Sequence, residues 1–142
     1  MNSVCICGSQ RFKNEIENFA SELERLGVPL VYKPQFKERD YQFLNLPERE
    51  RLSTSDHYRR IVPGLVFHHL QRIREADIVY VYNPEGYIGV NTTLEIGAAH
   101  ALNKPIFAFS PEKPYEDGGE MCREILINDI VTTPEQLVKK LI

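Results

Sequence analysis

Tryptophan is absent from this sequence of 142 residues, cysteine occurs only three times, and lysine and arginine form no run. Each absence excludes a class. Cys5, Cys7 and Cys122 are an odd set without paired spacing, which argues against a disulfide framework and for reduced thiols. The 17 basic and 20 acidic side chains are mixed along the chain and leave a net charge of −3, so no nucleic-acid groove announces itself. No apolar run approaches the roughly 18 residues of a membrane helix. Met1 leads into a strand-like run without the charged and apolar regions of a signal peptide. A cytoplasmic protein that meets neither nucleic acid nor membrane is expected. The length suits one domain, 1–142, able to remove about 68–70% of its unfolded surface from water.

What is present is alternation of strand and helix. Val4-Cys5-Ile6-Cys7 is a short apolar run closed by Gly8-Ser9, and Phe12, Ile16, Phe19, Leu23 and Leu26 follow at helical spacing. Gly27 is the expected stop, and 28–32 supplies a second strand. From 35 to about 57 the chain is charged and aperiodic, which predicts a lid-like insertion with a helical turn after Pro47. Val62, Val66, Leu70 and Ile73 restore the helical period before a third strand at 78–82. His69 falls on the edge of that apolar stripe and His68 points away from it. A glycine-bearing loop and a helix around Glu95 come next, then strands at 106–109 and 130–131 and a final helix opened by Thr133-Pro134-Glu135-Gln136.

This pattern predicts an α/β protein: a three-layer, doubly wound parallel sheet of five strands, Rossmann-like or flavodoxin-like, in the order 2-1-3-4-5. Ligands of such sheets bind outside the carboxyl ends of the strands at the switch point, here between strands 1 and 3. The loops that meet there are 8–11 and 83–93. In the first, Gly8 lets backbone N–H groups approach an anion at the following helix start, with Ser9 and Arg11 as further donors; an ordinary turn with a serine cap reads equally well. Cys5 and Arg11 also have the Cys-x5-Arg spacing of phosphatases, but a cysteine inside the strand cannot emerge as a nucleophile. In the second loop, Thr92-Thr93-Leu94-Glu95 matches a capping box, in which Glu95 would only reach back to the Thr92 N–H. Gly86, Gly89 and Gly97 around Glu95 favour a ligand instead. In the first turn of a helix Glu95 would be charged at neutral pH, as a nucleophile at a sugar's anomeric carbon must be. Asn83 stands at a strand's carboxyl end, and Tyr87 or Tyr32 could stack on a base. His100 and the cysteines have no metal-ligand spacing, so neither metal nor cofactor is expected.

Several segments occur in the order found in one superfamily. Cys7-Gly8-Ser9-Gln10-Arg11, Ala76-Asp77-Ile78-Val79, Gly86-Tyr87-Ile88-Gly89 and the run from Glu95-Ile96-Gly97-Ala98 to Lys104-Pro105-Ile106 resemble the nucleoside 2-deoxyribosyltransferase superfamily. Within it, the Cys-Gly-Ser-x-Arg start and the Glu-x-Gly-x-Ala helix look most like those of the deoxynucleoside 5′-monophosphate N-hydrolases. The resemblance implies cleavage or transfer at the N-glycosidic bond of a nucleoside or its 5′-monophosphate, through a covalent sugar ester on Glu95. Substrate contacts are expected from Gly8, Ser9, Arg11, Asn83, Gly86, Tyr87, Gly89, Asn91 and Thr92. The resemblance further implies a homo-oligomer with sites bordering the subunit interface.

Two departures stand out. The superfamily carries an acidic residue about two helical turns before the Ala-Asp pair, where this chain has His69, a group able to handle protons near neutral pH. The stretch from Gly89 to Glu95 is also longer than the usual Gly-x-Gly-x-Glu, and its spacing resembles the phosphoribohydrolases of the Lonely Guy type. A nucleotide sensor without turnover on the same fold is the alternative outside enzymes.

Overall fold

The computed structural model of the protein describes residues 1–36, 47, 50 and 56–142, with side chains from 61 onward in the last segment. Apart from 35–36, 47, 50 and 56–57, the insertion expected to form a lid lies outside the described residues. Strands β1 (Ser3–Gly8), β2 (Leu30–Tyr32), β3 (Ile78–Tyr82), β4 (Ile106–Ala108) and β5 (Asp129–Ile130) form one sheet in the order β2-β1-β3-β4-β5. Every pairing is parallel, with Val4 beside Ile78 and Gly8 beside Tyr82. The expected order and switch point are thus observed.

Helices α1 (Lys13–Arg25) and α5 (Pro134–Lys140) cover one face. Helices α2 (Asp56–Glu75) and α3 (Val90–Ala101) cover the other, and the short α4 (Met121–Glu124) follows β4. The alternation of strand side chains explains the division. Val4, Ile6, Ile78 and Tyr80 meet Ile16, Phe19, Leu23 and Leu137, while Cys5, Cys7, Val79 and Val81 meet Ile73, Ile96 and Ala99. Each fully buried aliphatic side chain contributes on the order of 1.5–3 kcal/mol. Tyr80 stacks on Phe19 with ring centroids 4.6 Å apart and donates its hydroxyl to the Val131 carbonyl, so this buried phenol is satisfied.

Local chemistry ends the elements where expected. Val28 and Gly27 N–H groups close the last carbonyls of α1, those of Leu23 and Glu24. Thr133 caps α5 by accepting from the Gln136 N–H, while Gln136 accepts in return from Thr132. Asp77 accepts from the backbone of Asn2 and Ser3 at the sheet end opposite the crevice, and its role is to tie β1 to β3. Among the described residues, no helix is long and apolar enough to cross a membrane.

Candidate active site

The switch point between β1 and β3 opens onto two loops. The first runs from Gly8 through a 3-10 turn, Gln10–Phe12, in which the Ser9 hydroxyl accepts from the Arg11 N–H. A Cβ on Gly8 would lie 3.1 Å from the Tyr82 carbonyl oxygen, so the glycine permits β1 and β3 to end side by side. The second loop is the 3-10 turn Pro84–Gly86 and the residues to Gly89. Glu85 and Gly86 both adopt left-handed backbone, with φ of 58° and 75°, and a Cβ on Gly86 would stand 2.9 Å from the Pro111 carbonyl oxygen. Such strain persists only where neighbours impose it. Here the clamp is Asn83, which is buried, donates from Nδ2 to the Ser110 carbonyl and accepts at Oδ1 from the Ser110 N–H, both at 2.9 Å. The Asn83 amide is therefore committed to joining the ends of β3 and β4.

The two loops touch through Arg11 and Tyr87. The exposed Arg11 guanidinium lies 3.9 Å from the centroid of the Tyr87 ring, and Phe12 meets the same ring edge-on at 6.0 Å. Tyr32, the other tyrosine considered for stacking, is tied by its hydroxyl to Glu75 at the end of α2. The loop also holds a group the sequence reading passed over. Gln10 Oε1 is buried and, among the described residues, has no hydrogen-bond partner. A buried acceptor without a donor is a place for a ligand N–H or O–H.

The helix behind the second loop begins earlier than its motif suggests. Gly89 is the N-cap of α3, with no side-chain cap and no acidic residue in the first turn. Residues 90–93, expected in the loop, are helical. Thr92 is buried and Asn91 partly buried in that first turn, and Thr93 bonds the Gly89 carbonyl. Glu95 consequently sits in the second turn, and the capping box from Thr92 does not form. Side chains on a helix tilt toward its N-terminus, which in α3 is the end that follows the second loop.

Glu95 is only 6% exposed. Burial pushes its pKa up to about 7, against the opposing pull of the His69 imidazole and a hydrogen bond from the Cys7 thiol. The expectation of a fully charged carboxylate at neutral pH is corrected by this environment. His69, on α2, is also 6% exposed, and its Nε2 lies 3.6 Å from Cys5 Sγ and 3.5 Å from Cys7 Sγ. Burial lowers its pKa, but the Cys5 thiol and the charges of Cys5 and Glu95 outweigh it and hold the imidazole above its usual value. The Cys7 hydrogen bond draws the Cys5 thiol down, against burial and with help from His69, while Cys7 is driven up by Cys5 and by burial. Cys5 is thus the sulfur suited to carry charge, yet it lies fully buried within β1, where no phosphate can reach it.

Strand alternation puts Cys5 and Cys7 on one face of β1, and the packing of α2 and α3 on that face brings His69 and Glu95 to them. The ligand atoms of Cys5, Cys7 and His69 lie within 4.8 Å of one another, so this trio could hold a metal ion. No spacing in the sequence marks it, because the cysteines and the histidine are joined only by topology.

The chain as a whole superposes on solved structures. A 2-deoxyribosyltransferase from the psychrotolerant bacterium Bacillus psychrosaccharolyticus superposes with a TM-score of 0.58 at 17% identity, over 95% of this chain and 89% of its own. The chain has the nucleoside 2-deoxyribosyltransferase fold. A conserved protein from Enterococcus faecalis superposes at 0.63 with 14% identity, over 99% of this chain and 97% of its own. A CMP N-glycosidase from Clostridium botulinum matches at a TM-score of 0.48 and 18% identity, over 98% and 97%. By sequence, no family model and no curated protein matches.

Proposed function

We propose that the protein cleaves, or transfers at, the N-glycosidic bond of a nucleoside or its 5′-monophosphate, with Glu95 as nucleophile. One observation carries this reading: a buried carboxyl, close to an imidazole and a thiol, stands on the helix that opens from the second loop of the switch point. Removing a carboxyl from water is costly, and a carboxyl whose pKa lies near neutrality is suited to chemistry. A Glu95 oxygen attacks C1′, the C1′–N bond breaks, and the base leaves with the electron pair and takes a proton. Water or a second base then displaces the sugar from the ester and restores the carboxylate. His69, with Nε2 against both sulfurs, acts on the charge of Glu95 and on the supply of protons from below. Gln10 Oε1 accepts from the substrate, and Tyr87 presents a ring to it. Incubation with a panel of nucleosides and 5′-monophosphates, followed by chromatography of free base, tests the reading. Thermal stabilisation by these ligands without base release would favour a sensor instead.

Arg11 and the N–H groups of its loop form the 5′-phosphate site in this reading. The guanidinium exchanges the Tyr87 ring for the phosphate. A hydrogen bond to a charged group is worth about 1.5–3 kcal/mol. Arg11→Ala is therefore expected to raise KM for a 5′-monophosphate about 10- to 100-fold and to leave KM for the parent nucleoside unchanged. An equal rise for both would remove Arg11 from the phosphate site.

The assembly belongs to the same proposal. Val90, Leu94, Gly97 and Ala101 are all exposed along one face of α3, and Phe67 is exposed on the adjoining α2. We take this row as the face on which a second copy packs. Light scattering is expected to give a multiple of the 16.4 kDa chain mass, and Leu94→Asp to reduce it to the monomer. A monomeric parent would contradict this.

A further inference from the structure

We propose that Cys5, Cys7 and His69 form a binding site for a thiophilic divalent cation of the zinc class. The first ground is geometry. His69 Nε2 stands 3.6 Å from Cys5 Sγ and 3.5 Å from Cys7 Sγ. With metal–sulfur bonds of about 2.3 Å and a metal–nitrogen bond of about 2.0–2.1 Å, a tetrahedral zinc ion holds sulfur and nitrogen about 3.5–3.6 Å apart. A simple thiol–imidazole hydrogen bond accounts for one sulfur only, since Nε2 offers one proton or one lone pair. Here two sulfurs stand at nearly the same distance from it.

The second ground is the donor set and its burial. Two sulfurs and an imidazole suit zinc, cobalt(II) or another borderline ion and do not suit magnesium or calcium. Cys5 and Cys7 have no solvent exposure, so the thiolates that form cancel the charge of the dication without competition from water. Binding sends the two thiol protons to solvent, leaves His69 neutral, and makes two metal–sulfur bonds and one metal–nitrogen bond. The Cys7 thiol also serves Glu95 as a hydrogen-bond donor, and Glu95 loses that donor when Cys7 binds the ion.

An ion on Cys7 removes the thiol proton that Glu95 accepts and sets a dication beside the carboxylate, which weakens it as a nucleophile, so the metal lowers activity; this consequence rests on Glu95 as the nucleophile. The reduced, chelator-stripped full chain is to be titrated with cobalt(II). Expected at one equivalent are the strong near-ultraviolet thiolate-to-cobalt absorption and the visible bands of a tetrahedral ion, displaced by zinc. Cys122→Ser is expected to retain the spectrum, and Cys7→Ser to lose most of the thiolate band while keeping its circular dichroism. If Cys7→Ser does not fold, the parent still decides. No thiolate band at one equivalent, or a band that Cys122→Ser abolishes, overturns the site. One equivalent of zinc is further expected to lower base release at least tenfold, reversibly with chelator. Undiminished release by zinc-loaded protein overturns the effect of the ion on Glu95. A protein that releases no base with or without zinc refutes the proposed reaction, and the cobalt titration then judges the metal site by itself.

Discussion

Glu95→Gln is expected to lower base release by at least about 10³-fold while making the chelator-treated protein more stable above neutral pH. The two effects have one cause. Glu95 is carried from an ordinary 4.5 up to about 7 by burial. An acid raised in this way supports the folded state fully below its unfolded pKa. That support is lost as pH rises through the folded value. The parent should therefore lose about 3 kcal/mol between roughly pH 4 and pH 8 that the glutamine variant keeps, as urea denaturation at the two pH values would show. A variant that is inactive but has the same pH dependence of stability as the parent would mean that Glu95 is not the buried acid described above. An inactive but more stable protein separates loss of chemistry from loss of fold.

Arg123→Ala is expected to destabilise the protein by about 3–5 kcal/mol, the largest stability effect anticipated outside the hydrophobic core. Arg123, on α4, bonds Glu112 through Nε at 3.0 and 3.2 Å and through Nη2, and its Nη1 donates to Thr93 of α3 at 2.9 Å. Glu112 is nearly buried, with a side chain 3% exposed, and also accepts from the Glu120 N–H. Truncating the arginine leaves that carboxylate without its cation. The double variant Glu112→Ala/Arg123→Ala should recover part of the loss, because the unpaired buried charge is then gone. Denaturant midpoints decide it, and a single variant within 1 kcal/mol of the parent, judged against ~0.5 kcal/mol for a surface change, would contradict this account.

Much of the architecture is legible in the residues themselves. Val4 and Ile6 alternating with Cys5 and Cys7, and Ile16, Phe19 and Leu23 at helical spacing, are enough to place a strand and its covering helix. Repetition of that unit implies the strand order that is observed. The details of the site are less legible, for physical reasons. Thr92-Thr93-Leu94-Glu95 carries the chemistry of a helix start, but Gly89 begins the helix without a side-chain cap, so a surface-like glutamate becomes a buried one. Asn83 looks free to meet a ligand until the Ser110 backbone is brought beside it across the sheet. His69 could be placed on its stripe from periodicity, but its contact with two sulfurs depends on β1 lying under α2. Gln10 has no distinguishing neighbours in the chain, and only burial without a donor marks it out.

In the proposed reaction a sugar becomes bonded to Glu95. Mass spectrometry of protein quenched during turnover of a cleaved 5′-monophosphate tests it directly. Expected is a peptide containing Glu95 that is heavier by the sugar phosphate, an adduct that is absent from Glu95→Gln and disappears as substrate is exhausted. Base release without any such adduct, together with full activity of Glu95→Gln, would contradict it.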